Sequence, residues 1–348
     1  MPVTVVVGGQ YGSEGKGKVA HYLAREMDAS VAIRCGGPNS GHTVIDPNGK
    51  PLIFQQLPTA SILPDIISVL CAGSYIDLDI LQSEIAVSRV DPTRLYIDPN
   101  AVIITQELKE KEKNRGLTDS IASTGSGTGE AVLSRIRRDR NIVFAKDIEE
   151  LDPYIQDTKG FLRSQLDQNQ RVILEGTQGY GLSLLHSEYY PYVTSRDTSA
   201  AGFVAEAGLS PLDVDDVVLT IRAFPIRVAG NSGPLLNEIT WQTITEESGS
   251  KVRFCEHTSV TKRLRRIARF DPQIVKESIR VNHPTRIVLN HLDYVDANCT
   301  FADGYTRRIR KFLNESEYVI GQRVDYLGFS PQALIRNDSG LMRLVYQS

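Results

Sequence analysis

The chain has 348 residues, and its 39 Lys and Arg against 42 Asp and Glu give a formal net charge of −3. This balance argues against a protein that coats nucleic acid, because binding to a phosphate backbone favours an excess of positive charge. Hydrophobic residues make up 41% of the chain and charged residues 23%, so a sizeable core is expected and wholesale disorder is not.

The first forty residues predict a βαβ unit. Residues 3–7 (VTVVV) form a short β-branched run that stops at two glycines. Helical spacing follows over residues 18–27, and a second strand is predicted over residues 30–34. The chain opens without a basic stretch or a cleavage site, so we expect no signal peptide and a cytoplasmic location. No apolar run approaches the ~20 residues that span a bilayer, so no membrane partner is expected.

Similar buried runs recur at residues 172–174, 217–221 and 287–289, and polar or glycine-rich segments follow each of them. The pattern predicts an α/β fold with a mostly parallel central sheet, flanking helices and long glycine-rich loops. We expect one domain over residues 1–348 rather than two, with a polar surface loop at residues 246–251. In such sheets, ligands bind beyond the carboxyl ends of the strands.

The four cysteines, Cys35, Cys71, Cys255 and Cys299, are scattered without a CxxC pair. Neither a zinc site nor a disulfide framework is expected. They are interpreted as buried thiols in a reducing compartment.

A glycine-rich loop, residues 12–18 (GSEGKGK), lies between the first strand and the first helix. Glycines let backbone N–H groups approach an anion, and the N-terminus of a helix adds positive potential. The loop matches the P-loop pattern GxxxxGK[ST] except at its last position, where Val19 replaces the hydroxyl residue that binds magnesium. The sequence therefore predicts a phosphate-binding loop with Lys16 and Lys18 as its cations.

Eight segments, in order, resemble motifs of the adenylosuccinate synthetases, in which the loop reads GDEGKGK. They are residues 12–18, 38–43 (PNSGHT), 123–127 (STGSG), 175–179 (EGTQG), 190–195 (YPYVTS), 260–266 (VTKRLRR), 290–293 (NHLD) and 324–331 (VDYLGFSP). The resemblance implies a Mg²⁺-dependent carbon–nitrogen ligase of purine biosynthesis. Such an enzyme phosphorylates the purine 6-oxygen, after which the aspartate amine displaces the phosphate. The family's usual substrates are IMP, L-aspartate and GTP.

Three departures resemble the phage branch of the family, the N6-succino-2-amino-2′-deoxyadenylate synthases. Ser13 stands where the family has a catalytic aspartate, residues 227–234 (RVAGNSGP) are two longer than the family's RVGAGP, and the chain is short for a bacterial member. That branch joins dGMP to L-aspartate for 2-aminoadenine DNA, and a phage origin would place the protein in the host cytoplasm. An ordinary adenylosuccinate synthetase, an inactivated family member and a GTP-dependent switch remain alternatives.

The resemblance assigns roles residue by residue. Catalysis is expected from Ser13, His42 and Lys16, and Mg²⁺ binding from Ser13 and Gly41. The triphosphate is expected to contact Gly12, Ser13, Glu14, Gly15, Lys16, Gly17, Asn290, Asp293, Gly328, Ser330 and Pro331. The monophosphate is expected to contact Asn39, Ser123, Thr124, Arg138, Gln178 and Thr194, with Asn231 and Ser232 reading the 2-amino group. Aspartate is expected to bind Thr261, Arg263 and Arg265.

Some assignments leave alternatives open. A serine is a poor base near neutral pH, so proton removal would be less direct than in the family. ATP or dATP is the expected donor by resemblance to the phage branch, but Asp293 suits guanine and keeps GTP possible. Arg138 is expected to reach the partner's monophosphate in a homodimer, or to lie on a solvated helix face. Residues 262–269 could instead form a basic nucleic-acid patch, which the overall charge disfavours.

Overall fold

In a computed structural model of the chain, the structure describes residues 2–258, 262–299, 306–331 and 334–337. Its strands are β1 Val3–Gly8, β2 Val31–Gly36, β3 His42–Ile45, β4 Pro51–Phe54, β5 Ile67–Ile76, β6 Leu95–Ile97, β7 Val102–Ile103, β8 Val172–Glu175, β9 Val214–Arg222, β10 Ile226–Arg227, β11 Glu238–Ile239, β12 Arg266–Ala268, β13 Arg286–Asn290, β14 Tyr326–Gly328 and β15 Leu334–Arg336. Its α-helices are α1 Lys16–Glu26, α2 Leu78–Ser88, α3 Gln106–Asn114, α4 Leu117–Ile121, α5 Thr128–Arg137, α6 Thr158–Asp167, α7 Ala200–Ala207, α8 Trp241–Ser248, α9 Pro272–Asn282 and α10 Arg307–Ile320.

The central sheet has the order β15-β14-β13-β9-β1-β8-β2-β5-β6, and β7 also pairs with β5. Its strand pairs are parallel except for β14 with β15. Strand β8 lies between β1 and β2, so the predicted βαβ unit forms with one strand position skipped. The predicted fold class, a mostly parallel sheet with flanking helices, is confirmed.

Helices pack on both faces of this sheet, because side chains of a strand alternate between its faces. On one face, Val5 of β1 belongs to the same apolar cluster as Phe203 of α7 and Val275 of α9. On the other face, Val6 clusters with Leu23 of α1. Every residue of β1 is buried, as expected for a parallel strand that is covered on both sides.

The functional segments lie at the carboxyl ends of neighbouring strands, as the sequence predicted. The phosphate loop, here residues 9–18, follows β1, and Glu175 ends β8. Arg222 ends β9, and Asn290 ends β13. Because β13, β9, β1 and β8 are consecutive in the sheet, their ends meet at one edge.

Two local predictions are wrong. The expected loop at residues 246–251 is helical as far as Ser248, because Thr240 caps α8 and the apolar side chains of Trp241 and Ile244 are buried. Gly249, with φ of 74°, then ends the helix. Cys255 is exposed rather than buried, and Cys299 is partly exposed, whereas Cys35 and Cys71 are buried free thiols.

No helix in the described part of the chain is both long enough and apolar enough to cross a bilayer.

The packing of the core predicts that a leucine-to-alanine substitution destabilises the protein at a buried site but not at an exposed one. Leu174 of β8 is fully buried, whereas Leu212 is 81% exposed. Leu174→Ala should lower the free energy of unfolding by about 2–5 kcal/mol, because it leaves a cavity in the sheet. Leu212→Ala should change it by less than about 0.5 kcal/mol. Urea unfolding of both variants measures this, and equal effects would contradict the packing described.

Candidate active site

Two cavities meet at this edge of the sheet. The first, of about 290 Å³, is lined by the phosphate loop, by residues of the 291–294 segment, and by Ser330 and Pro331. The second, of about 300 Å³, is lined by Asn39, Ser123, Thr124, Gln178 and Arg263, among others. The residues that line both cavities are Ser13, Gly41, His42 and Arg265. A group transferred between two bound molecules would pass this junction.

The phosphate loop depends on left-handed backbone geometry and on one inward carboxylate. Gly12 and Gly15 have φ of 92° and 91°, and the exposed Ser13 has φ of 57°. Glu14 Oε1 accepts hydrogen bonds from the backbone N–H of Gly12 at 2.8 Å and of Gln10 at 3.1 Å. Its other oxygen pairs with Lys16 Nζ at 2.7 Å. The Glu14 side chain therefore shapes the loop from within.

Two residues that were expected to contact the triphosphate instead support the phosphate loop from within the protein. Asn290 is buried, and its Nδ2 donates to the Glu14 carbonyl at 2.7 Å. Gly328 leaves room for the Asn290 amide, because a Cβ there would overlap the amide oxygen. Neither residue lines the first cavity, whereas Gly15, Lys16, Gly17, Asp293, Ser330 and Pro331 do.

His42 is held by a buried carboxylate whose role the sequence analysis missed. Its Nδ1 lies 2.5 Å from Glu175 Oε1, and its Nε2 lies 3.4 Å from Ser40 Oγ. Glu175 also pairs with Arg34 at 3.1 Å and accepts from the Thr59 N–H at 2.8 Å. Gly17 lets His42 pack closely against the start of α1, since a Cβ at position 17 would lie 2.7 Å from the Cβ of His42.

These contacts fix the protonation of the pair. Burial would raise the pKa of Glu175, but its hydrogen bond with His42 and the charge of Arg34 lower that pKa to about 2. Burial and the nearby Arg34 lower the pKa of His42 to about 4. Near neutral pH the imidazole is therefore neutral. Its Nδ1 carries the proton toward the carboxylate, and its Nε2 is left for the cavities.

The expected monophosphate residues divide into two groups. Asn39, Ser123, Thr124 and Gln178 line the second cavity, and Asn39 Nδ2 lies 3.5 Å from Thr194 Oγ1. Arg138 is exposed just beyond α5, away from the lining of either cavity.

The expected readers of the 2-amino group do not line the second cavity. Asn231 Nδ2 donates to the Ser120 carbonyl at 2.7 Å, and Ser232 Oγ donates to the Val228 carbonyl at 2.6 Å. Instead, Val228 and Ala229 from the same segment line the cavity. Asn231 therefore ties the longer segment to Ser120, and Ser232 bonds within the segment.

The expected aspartate residues lie partly within the described chain. Arg263 and Arg265 line the second cavity, while Thr261 lies outside the described residues. The neighbouring arginines do not form a bare basic patch. Arg266 pairs with Glu238 at 2.6 Å, and Arg269 pairs with Glu247. These pairs disfavour the nucleic-acid interpretation of the segment.

The far end of the first cavity is lined by His291, Asp293 and Tyr294. Burial raises the pKa of the Asp293 carboxyl to about 6. Asp293 Oδ1 is buried and has no hydrogen-bond partner among the described residues. An acceptor of this kind suits a ligand that offers N–H groups.

Sequence reasoning missed Glu175, Arg34, Arg222 and Glu256 as parts of the site. Glu175 and Arg222 end predicted buried strands, which is a signal that could have identified them. Glu256 follows no strand or motif, and its contacts come only from the tertiary fold.

A model of the adenylosuccinate synthetase family matches residues 5–145 and 143–308 of the chain. The adenylosuccinate synthetase of Methanococcus aeolicus is 36% identical over 341 residues, which cover 95% of this chain and 98% of that protein. The enzyme of a Pyrococcus species is 35% identical, with 95% and 97% covered. The chain belongs to the adenylosuccinate synthetase family.

Two solved structures are similar. Cyanophage S-2L succinoaminodeoxyadenylate synthetase, bound to dGMP and to dATP as an energy donor, superposes with a TM-score of 0.82. It is 29% identical, with 99% of this chain and 98% of that one covered. Fully ligated adenylosuccinate synthetase from Plasmodium falciparum gives a TM-score of 0.84 at 20% identity, covering 97% and 100%, and it supports the fold.

The pair of Glu175 and His42 predicts a loss of turnover. Glu175→Gln should lower kcat of the ligase about 100-fold, because the amide no longer fixes the proton on Nδ1, and a positioned acid or base contributes a factor of this order. Glu238→Gln, which removes a partly exposed ion pair, is the control and should leave kcat unchanged. Steady-state phosphate release measures both, and equal kcat values would contradict this role.

The same pair predicts acid sensitivity of the fold. Because the pKa of His42 falls from 6.5 to about 4 on folding, the unfolded chain binds a proton first as the pH drops. The contribution of neutral His42 to the free energy of unfolding is therefore complete above pH 6.5, and it is lost as the pH falls toward 4. Between pH 6.5 and 5, the unfolding free energy of the wild type should fall more steeply than that of His42→Asn, by about 1 kcal/mol per pH unit. Urea unfolding over this range tests it, and parallel curves would contradict it.

Proposed function

We propose that this member of the adenylosuccinate synthetase family joins dGMP to L-aspartate, giving N6-succino-2-amino-2′-deoxyadenylate for the synthesis of 2-aminoadenine DNA. The observation that carries the proposal is Ser13, which replaces the family's aspartate and lines both cavities at their junction. The similarity to the cyanophage enzyme that binds dGMP, over 99% of this chain, supports it.

An ordinary adenylosuccinate synthetase that uses IMP and GTP is the second candidate. The archaeal relatives favour it, because they reach 36% identity against 29% for the cyanophage enzyme. The shortness of the chain does not separate the two candidates, since it spans 98% of the Methanococcus enzyme. The choice therefore depends on Ser13 rather than on overall similarity.

The replacement of the carboxylate suits a guanine-type base. Guanine carries a 2-amino group beside N1–H, and a serine leaves more space there than an aspartate. Its hydroxyl is neutral and can accept a hydrogen bond from an N–H. Without a carboxylate at position 13, the N1 proton leaves by a less direct route, through the hydroxyl to a phosphate oxygen or water.

The proposed reaction has two chemical steps. The 6-oxygen of dGMP attacks the γ-phosphorus of the triphosphate, and the nucleoside diphosphate leaves. The aspartate amine then attacks C6 and loses a proton, the C6–O bond breaks, and inorganic phosphate leaves with the bonding electrons and takes up that proton. Charge on the transferring phosphoryl group must be neutralised throughout. Lys16 lines the first cavity, and we assign this neutralisation to it and to the N–H groups of the phosphate loop.

His42 serves the transferring group from that junction. Its Nε2 is neutral in the free protein, and a neighbouring anionic phosphoryl group would raise its pKa. The protonated ring then donates through Nε2 to a phosphoryl oxygen, while Glu175 holds Nδ1. The imidazolium, which the carboxylate stabilises, therefore forms only when the substrate brings negative charge beside it.

The residues at the junction are compatible with Mg²⁺. Ser13 and Gly41 line both cavities and offer a hydroxyl and a carbonyl oxygen, which are hard oxygen ligands. Among the described residues there is no group of three or more His, Cys, Asp or Glu that could hold a metal ion. Mg²⁺ would therefore rely on substrate phosphates and water for its other ligands, and it would supply positive charge to the triphosphate.

The donor is ATP or dATP in this proposal. The cyanophage structure contains dATP as an energy donor, and the unpartnered Asp293 Oδ1 can accept from the 6-amino group of adenine. GTP remains the alternative, because a carboxylate also accepts from guanine N1–H and N2–H₂. The proposed assembly is a homodimer in which the exposed Arg138 contacts the monophosphate of the second copy.

The proposal predicts an acceptor preference. With ATP and L-aspartate, kcat/KM for dGMP should exceed that for IMP at least tenfold, or ~1.4 kcal/mol of barrier. A phosphate-release assay across dGMP, GMP, IMP and dIMP measures this. A tenfold preference for IMP would identify an ordinary adenylosuccinate synthetase, and no release with any acceptor would contradict a ligase.

Restoring the acid tests the role of Ser13 directly. Ser13→Asp should lower kcat/KM for dGMP at least tenfold, because the carboxylate crowds the 2-amino edge of the base. Ser83→Asp makes the same change at an exposed position of α2 and should have no effect. Undiminished dGMP turnover in Ser13→Asp would contradict the role assigned to Ser13.

Asp293 predicts how the donor is chosen. An asparagine offers one acceptor and one donor, which matches the 6-amino group and N1 of adenine but not the two N–H donors of guanine. Asp293→Asn should keep kcat/KM for ATP within threefold and lower any GTP use at least tenfold. A tenfold loss of kcat/KM for ATP in this variant would contradict the assignment, and wild-type turnover with GTP but not with ATP would identify GTP as the donor.

A further inference from the structure

Glu256 is the centre of a largely buried ionic cluster for which the chemistry above assigns no role. Its Oε2 accepts from Arg265 Nη1 at 2.9 Å, and its Oε1 accepts from the Tyr294 hydroxyl at 3.0 Å. Arg222, which is fully buried, forms a bidentate ion pair with both oxygens. One carboxylate therefore organises three side chains from separate parts of the chain.

The partners of Glu256 belong to different parts of the site. Arg265 lines both cavities, and Tyr294 lines the first. Arg222 Nη1 also donates to the Ser13 carbonyl at 3.0 Å. A chain of direct contacts thus runs from Arg265 through Glu256 and Arg222 to the phosphate loop.

The backbone strengthens the link between Glu256 and Arg265. The Arg265 N–H donates to the Glu256 carbonyl at 2.8 Å, and the Thr258 N–H donates to the Arg263 carbonyl at 2.9 Å. These bonds pair the two segments that flank residues 259–261. Glu256 and Arg265 are therefore joined through their backbones as well as through their side chains.

The charges in this cluster are unequal. Burial would raise the pKa of Glu256, but the charges of Arg222 and Arg265 hold it well below its usual range. One carboxylate faces two guanidinium groups, so the cluster carries net positive charge. Such a cluster can accept a further carboxylate without leaving a buried charge unpaired.

We propose that Glu256 is a positioning residue for L-aspartate, which orients the Arg265 guanidinium to receive a carboxylate and ties it through Arg222 to the phosphate loop. A guanidinium is planar and presents its donors in a fixed fork, so its orientation decides whether it can bind a carboxylate with two hydrogen bonds. The inference rests on the proposed aspartate site, and it holds for dGMP or IMP as acceptor.

Glu256→Gln tests the proposal with almost no change in shape. An amide has one acceptor oxygen, so it cannot accept from both Arg222 nitrogens and from Arg265 as the carboxylate does. The KM for aspartate should rise at least tenfold, while the KM for the monophosphate stays within threefold, because Glu256 lines the first cavity but not the second. A purely structural role would instead lower kcat without this selective change.

Glu247→Gln is the matched control. It removes the same charge from an ion pair with Arg269 whose two partners are both partly exposed, and every KM should stay at the wild-type value. Glu256→Asp covers the case in which Glu256→Gln does not fold. It keeps the negative charge but shortens the side chain by one methylene, so the carboxylate cannot keep its present contacts with both Arg222 and Arg265, and the KM for aspartate should rise at least threefold.

A double-mutant cycle with Arg265→Lys separates positioning from an independent effect. If Glu256 acts through Arg265, Glu256→Gln should add less than threefold to the aspartate KM in the Arg265→Lys background. Additive effects, or an unchanged aspartate KM in a folded Glu256→Gln or Glu256→Asp variant, would overturn the proposal. Wild-type turnover with IMP but not dGMP would overturn only the proposed function, and no turnover with either would overturn both.

Discussion

The buried carboxylate of Glu175 is the interaction on which the rest of the site depends. An ionised carboxylate away from water is stable only when charges and hydrogen bonds compensate it. Here Arg34 of β2, His42 of β3 and the N–H of Thr59 all serve this purpose. The end of β8 is thereby fixed against three other segments, and the imidazole that faces both cavities has one defined orientation.

The two candidate substrates differ by few atoms, and few residues of the site would distinguish them. In the proposed function, the frame of the site, from the inward Glu14 to the pair of His42 and Glu175, would serve either purine. The choice between them is assigned to the side chain at position 13, beside the cavity wall that Val228 and Ala229 help to form. Overall sequence identity reflects mainly this shared frame. Archaeal and cyanophage enzymes can therefore both resemble the chain over nearly its full length.

The sequence predicted the strands and the phosphate loop because these features are local. β-Branched runs and glycines act through backbone geometry within a few residues. It could not predict the insertion of β8 between β1 and β2, since strand order depends on distant pairing. Nor could it show that Asn231 bonds to Ser120 and Ser232 to Val228, or that Glu256 contacts Arg222. Those contacts join residues whose spacing carries no periodic pattern.

The position of β8 also affects the order in which the protein can assemble during synthesis. Strands β1 and β2 both pair with β8 in the finished sheet, and more than a hundred residues separate β2 from β8 in the chain. A nascent chain that ends before β8 lacks both the strand between them and the carboxylate that orients His42. Domains that depend on such distant pairings fold slowly and expose strand edges meanwhile. The contact that orients His42 therefore becomes possible only after about half of the chain has been translated, because β8 ends at residue 175 of 348.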